Sequence, residues 1–376
     1  MNGWARLVGG LVLALAVQGP ARAVEFHVFG DVSVNSGDLE QENVSFALGA
    51  LDLFGVYQVS DETRSTIELI FDDPGQGEFV SSVERLSVEH RFSDGFRFAA
   101  GRFHTPLGFW NYNYHHGALI QDTVSRPFFL SFEEQHEGIF PLHLVGIQIR
   151  GQVPLSDANG AAWQYQFAVG NGPTIDTSVQ GEHGAEIDTN NVVDYNDDKM
   201  ILVRMAWGDF VKGNHLGLFA LRNDLVEAGL DPAQNLSGRA RGEKLYYQYI
   251  AGLDSRVALG PLSLMGEYFF IRTTDNIPNP AITADPGSHN SQAYYVQATW
   301  HLTDRFAATA RRAQNRFSAG DSYYRLLAVE QEVQHVLALR YNIQESNAVR
   351  LEFNQERAED GHNRLGVTLQ WFFLLF

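Results

Sequence analysis

The chain has 376 residues, a formal charge of −18 and no cysteine. Without thiols there is no disulfide framework, no thiolate nucleophile and no covalently attached c-type haem. So acidic a chain is not built to hold nucleic acid, and none is expected as a partner.

The first 23 residues read as an export signal. A short start with one Arg (Arg6) precedes an apolar run over 7–17, and Ala21-Arg22-Ala23 is a small-x-small cleavage site before Val24. Eleven apolar residues are too few to span a bilayer, and no later run reaches the roughly 18 that a membrane helix needs. Removal of the signal takes away Arg6 and Arg22 and no acid, so 353 residues remain and the charge falls from −18 to −20. An exported chain of this kind can enter a membrane only through strands.

Sixteen runs alternate apolar and polar residues: 25–34, 46–60, 63–71, 79–92, 96–103, 142–153, 163–170, 201–207, 215–222, 245–256, 262–273, 293–302, 306–312, 333–341, 348–355 and 364–373. A period of two puts the two sets on opposite faces of a strand. No stretch carries a convincing helical period, and no linker divides the chain. The last run is the clearest. Leu365, Val367, Leu369, Trp371 and Phe373 share one face, and Arg364, Gly366, Thr368 and Gln370 the other.

The connections alternate in length. Short ones fall at 61–62, 93–95, 208–214, 260–261, 303–304 and 345–347, and long ones at 104–141, 171–199, 223–244, 274–292 and 314–332. A water-soluble sandwich has no reason to keep that phase, whereas outer-membrane barrels turn tightly at the periplasmic end and carry long extracellular loops. The fold expected is therefore all-β: a transmembrane antiparallel β-barrel of about 16 strands, with the last strand closing on the first because lipid tolerates no open edge. A barrel of that size encloses an aqueous lumen.

Assigning the apolar parity to lipid turns Arg64, Arg85, Arg91, Arg97, Arg150, Arg204, Arg340 and Arg350 toward the lumen, with Arg256, Arg311 and Arg364. Fewer acids join them: Glu68, Glu89, Asp254, Glu267 and Glu352. Of the 27 basic residues 24 are Arg, whose planar fork suits phosphate or carboxylate. Two readings stay open: an anion-attracting wall, or Arg–Glu pairs that brace a wet barrel.

The segment 104–141 is the longest connection and is rich in aromatics, so it is expected to fold inward as a constriction loop rather than to stay disordered. Its expected site residues are His115, His116, Arg126, Glu133 and Glu134. Acids Asp122, Glu133, Glu134 and Glu137 would face the Arg wall. His104, His115, His116, His136 and His143 match no zinc spacing, so packing and loop hydrogen bonds are preferred over ligation, and neither metal nor cofactor is expected. The Asp-rich 188–198 stretch lacks the ordered spacing of a calcium loop. No Gly-x-Ser-x-Gly occurs, and nothing in the sequence marks an enzyme.

Gly101-Arg102-Phe103-His104-Thr105-Pro106-Leu107-Gly108, leaving a strand into a long loop, resembles the Gly-x-Phe-Lys/Arg-Thr-Pro-Phe-Gly pattern of the phosphate-selective porin O/P group. The layout as a whole is similar to Gram-negative porins. The resemblance implies a sixteen-stranded barrel in a homotrimer, seated among outer-membrane lipid and lipopolysaccharide, that passes small hydrophilic or anionic solutes by diffusion. His104 stands where the pattern has a basic residue, so phosphate specificity is not carried over. The alternative reading is a structural barrel that sheathes or anchors a partner such as an electron-transfer cytochrome.

Overall fold

A computed structural model describes residues 24–37, 41–72, 80–115, 119–131, 138–155, 160–178, 185–188, 194–229, 234–359 and 361–375. The expected export signal, 1–23, lies outside them.

The wall is built from β1 (Val24–Gly37), β2 (Gln41–Gln58), β3 (Thr63–Asp72), β4 (Val80–Ser93), β5 (Phe96–His104), β6 (His143–Pro154) and β7 (Ala161–Asn171). After a small hairpin, β8 (Thr174–Asp176) with β9 (Glu186–Asp188), it continues through β10 (Met200–Asp209), β11 (Asn214–Val226), β12 (Lys244–Leu259) and β13 (Leu262–Asp275). It ends with β14 (Ser288–His301), β15 (Phe306–Arg316), β16 (Glu332–Gln344), β17 (Asn347–Ala358) and β18 (Asn363–Leu374). Each of the sixteen alternating runs is a wall strand. Every neighbouring pair is antiparallel, and the ladder closes into a barrel where β18 pairs with β1, Trp371 opposite Val32 and Leu369 opposite Val34. The β8–β9 hairpin and two five-residue helices, α1 (Trp110–Tyr114) and α2 (Ser322–Leu326), leave no mark in the sequence pattern. All are too short to show a period.

The alternation resolves into an inside and an outside. On β10, Ile201, Val203, Met205 and Trp207 are exposed, while Met200, Leu202, Arg204 and Ala206 are buried. Leu218, Val296 and Leu337 are more than half exposed on neighbouring faces. An apolar belt of this kind is the surface of a barrel solvated by lipid. One rim is turned by connections of two to six residues, and the other carries all the long loops together with two connections of three and four residues. Trp163, Trp207, Trp300 and Trp371 all lie on the outer surface near the short-turn rim, Trp163 directly opposite Trp207. Amphipathic indoles favour that depth, where acyl chains give way to headgroups.

The long loops fold over the opposite rim. Glu227, fully buried, accepts from Thr177 N–H (3.1 Å), Gly229 N–H (2.7 Å) and the Ser237 hydroxyl (2.5 Å), which binds the 172–199 connection to the next one. Asp321 caps α2 by accepting from Tyr323 N–H (3.1 Å), and burial pushes its carboxyl above the usual carboxylate range. The acids of the 171–199 connection are partly neutralised: Lys199 meets Asp194 at 2.5 Å and Lys244 meets Asp198 at 3.0 Å.

Candidate functional site in the lumen

The segment 105–142 leaves β5, folds into the barrel and re-enters the wall at β6. Its neck is closed by Thr105 N–H donating to Leu142 O (2.8 Å) and by the Asn111 amide, which donates to Thr105 O (2.8 Å) and Leu142 O (3.0 Å). Gly101 and Gly108 have φ of +133° and +74°, a region that side chains disfavour. A Cβ on Gly108 would run into Glu267 Oε2. The close approach lets Glu267, on β13, accept from Phe109 N–H (3.2 Å), Trp110 N–H (2.7 Å) and the Tyr295 hydroxyl (2.7 Å).

Beyond α1 the segment has little regular structure, so its backbone groups need partners from elsewhere. Glu352 on β17 accepts from Val124 N–H (2.6 Å) and Ser125 N–H (3.1 Å). Three guanidiniums satisfy the carbonyls. Arg340 donates to the oxygens of Leu119 and Gln121, each at 2.6 Å. Arg350 donates to Gln121 O (3.1 Å) and Thr123 O (2.6 Å), and Arg311 to Ser125 O and Arg126 O, each at 2.8 Å. The apolar part packs on the wall: Phe129 and Phe140 lie 5.9 and 4.7 Å from Phe269, and Trp110 lies 5.6 Å from Tyr295, centroid to centroid. Edge-on and tilted aromatic contacts add to the burial of the rings themselves.

Nine of the eleven arginines read from the sequence as one lumenal wall divide into three groups. Arg64, Arg85, Arg91, Arg97 and Arg150 gather on β3–β6 toward the short-turn rim. Arg64 and Arg150 flank Glu89 at 3.1 and 2.5 Å, Arg85 binds Glu68, and Arg91 and Arg97 lie 3.6 and 3.8 Å from Asp94. Arg204 is buried against Asp254 (2.5 Å), which also meets His215 at 2.9 Å. Arg340 and Arg350, with Arg311, lie beneath the inward segment. Arg204 and Arg350 point inward as the parity requires, but at 5% and 1% exposure they do not meet open solvent, because lumenal side chains and the segment pack over them.

Of the expected loop residues, His115 is buried just after α1 and Arg126 donates to His115 O (2.8 Å) and Leu130 O (3.0 Å). Asp122 accepts from the Thr299 hydroxyl at 3.0 Å. His116, Glu133, Glu134, His136 and Glu137 lie outside the described residues.

Because the apolar part packs toward β11–β15, the remaining space lies on the opposite arc. A cavity of about 620 Å³ toward the long-loop rim is lined by Asp31, Asp52, Asp72, Glu352, Arg126 and Arg364, among others. A second, of about 260 Å³, toward the short-turn rim is lined by Arg64, Arg85, Arg150, Glu89 and Tyr112. The carboxylates in both are mostly buried, whereas the side chains of Arg64 and Arg364 are 43% and 42% exposed.

His115 lines the first cavity and His104 the second, and between them the chain brings together Glu84, His104, His115 and His143. The sequence pattern assigned these histidines to packing and loop hydrogen bonds and passed over Glu84. The cause is a β-bulge. Arg85 faces Glu68 and Val83 faces Leu69, so Glu84 is the extra residue and turns inward beside Arg85. Strict alternation puts it with Leu86 and Val88 on the lipid face. A carboxylate at that parity was the available signal.

No family model and no curated protein matches the chain. Solved structures match its fold over nearly the whole length. The anion-selective porin from Comamonas acidovorans superposes with a TM-score of 0.60 at 12% identity, over 94% of this chain and all of that one. The outer-membrane channel DcaP of Acinetobacter baumannii gives 0.59 at 13%, over 94% and 98%. OmpT of Vibrio cholerae, in a trimer form, gives 0.52 at 10%, over 94% and 100%. At these identities the likeness establishes the fold, that of Gram-negative outer-membrane porins.

Proposed function

We propose that this chain is a passive outer-membrane porin of a Gram-negative bacterium, admitting small hydrophilic solutes with a lean toward anions. One observation carries the reading. An apolar-belted, closed sixteen-strand barrel keeps polar cavities above and below a segment folded into its own lumen. The anion preference is supported by where the charges meet water. Around the two cavities Asp52, Glu89 and Glu352 are buried, whereas Arg64 and Arg364 keep part of their surface exposed. A solute on this path is steered by the charges it can approach. The anion-selective character of the Comamonas acidovorans porin points the same way. The phosphate-selective O/P resemblance rests on the Gly101–Gly108 motif alone and adds no specificity. A partner protein threaded through the barrel would compete with the 105–142 segment for the same space, which favours the porin over the sheath. Assembly as a homotrimer within outer-membrane lipid and lipopolysaccharide belongs to the same proposal and is supported by the trimer form of OmpT.

Planar-bilayer recording under a KCl gradient tests it. Ohmic channels with a zero-current potential of anion-selective sign are expected, moving toward the cation side in the triple variant R64Q/R91Q/R97Q. Folded protein without conductance would refute the channel, and a cation-selective wild type would refute the anion lean.

A further inference from the structure

Four buried side chains from distant parts of the sequence converge between the two cavities. His104 ends β5 and His143 begins β6, and the two are directly opposed in register. Opposed residues on antiparallel strands hold their side chains next to each other. His115 arrives from the end of α1, and Glu84 from the bulge on β4, the strand beside β5. The ligand atoms of all four lie within 4.8 Å of one another. His143 Nε2 is 2.6 Å and His115 Nε2 3.8 Å from Glu84 Oε2. The imidazoles of His104 and His143 stand 4.2 and 4.6 Å from that of His115, centroid to centroid.

We propose that Glu84, His104, His115 and His143 form a binding site for a divalent transition-metal ion, with zinc the best match, that fastens the inward segment to the barrel wall. Three imidazole nitrogens and one carboxylate suit zinc and its neighbours, whereas calcium and magnesium call for oxygen throughout. With metal–nitrogen bonds of about 2.0–2.1 Å, a tetrahedral site needs donor atoms roughly 3.3 Å apart, so the cluster reaches it by small side-chain rotations. The orientation of one ligand is already set. His115 Nδ1 lies 2.6 Å from Asn111 Oδ1, and donating its proton there leaves Nε2 with a lone pair toward the cluster. Asn111 is itself fixed by its bonds to Thr105 O and Leu142 O at the neck of the segment.

The surroundings favour a cation. Buried Glu68 has an oxygen 3.6 Å from His104 Nε2, and buried Asp52 lies within electrostatic reach of both Glu68 and Glu84. Of the guanidiniums nearby, Arg85 is bound to Glu68 and Arg126 donates to His115 O. Glu84 and Glu68 thus hold carboxylate oxygens beside imidazoles in a site removed from water, where a divalent ion offsets the cost of burying them. Four protein ligands make a closed, structural site. The metal would join β4, β5 and β6 to the helix after the neck, and so set how deeply the segment enters the lumen. Binding of the ion at these four residues does not depend on whether the barrel conducts.

Cobalt titration tests it. Folded wild-type protein in detergent is stripped with a chelator, dialysed and titrated with Co²⁺. Uptake of one ion per chain with visible bands of four-coordinate cobalt is expected, and Zn²⁺ should displace them. H115Q/H143Q should lose the bands, whereas H301Q/H335Q, altered outside the cluster, should keep them. N111A, which keeps every ligand, should weaken binding by about 10–100-fold. Absence of bands from folded wild type would overturn the proposal even if the double variant fails to fold. Bands that survive in a folded H115Q/H143Q protein would overturn it as well.

Discussion

At Gly108 the lack of a Cβ decides where the inward segment can go, because any side chain there would displace Glu267 from the N–H groups of Phe109 and Trp110. The motif Gly101–Gly108 was legible as a motif, but its reason was not, since Glu267 lies far along the chain. The arginines teach a related lesson. Arg311 is 3% exposed and holds two carbonyls, two hydroxyls and the Gln334 side chain. Arg64 is 43% exposed and holds one carboxylate in water. Replacing Arg311 by Met strands those acceptors in a dry site and should cost about 3 kcal/mol or more. R64Q should cost about 1 kcal/mol or less, as exposed pairs do. Denaturant midpoints of the two variants in the same micelle check the difference. R311M should also open the 119–126 stretch to protease while R64Q leaves it shielded. Equal midpoints would show that the guanidinium does not hold the segment.

The elements follow two different rules. Wall strands were readable because lipid outside and a polar lumen inside impose a period of two over every one of them. Leu337, in the middle of β16, is 61% exposed on the apolar face, and L337R should destabilise the barrel by about 2–4 kcal/mol, against a smaller loss for the same change near either rim. Unfolding titrations in a bilayer of fixed thickness measure this, and a cost that does not depend on depth would contradict the assigned belt. The inward segment obeys no such period. Its aromatic content predicted packing, but which aromatics meet Phe269 and which carbonyls meet Arg340 and Arg350 depends on the barrel already being closed around it. The bulge at Glu84 belongs to this scale too: one extra residue reverses the face of a single side chain and hides it from any parity count.

For the whole molecule, closure is the condition on which the rest depends. β18 supplies the partner for β1 from Phe29↔Leu374 to Gly37↔Gly366, and with no water in the hydrocarbon to take up free N–H and C=O groups an open edge is not tolerated. Deleting 371–376 removes the end of that seam. The shortened chain should fail to give the compact, heat-sensitive band of a folded barrel on unheated gels, and a compact band would show that β1 finds another partner. The sequence by itself determined the strand number, the sidedness of the connections, the lipid-facing parity and the inward course of the long segment. Each of these is a repeated or local pattern that the bilayer and the chain impose directly. Only the tertiary structure decided that the lumenal arginines divide among three tasks, that Glu267 and Glu352 serve as anchors for the segment, and that Glu84 joins three histidines. Those contacts link residues up to 229 positions apart, and register, twist and a bulge, none of them written in local periodicity, bring them together.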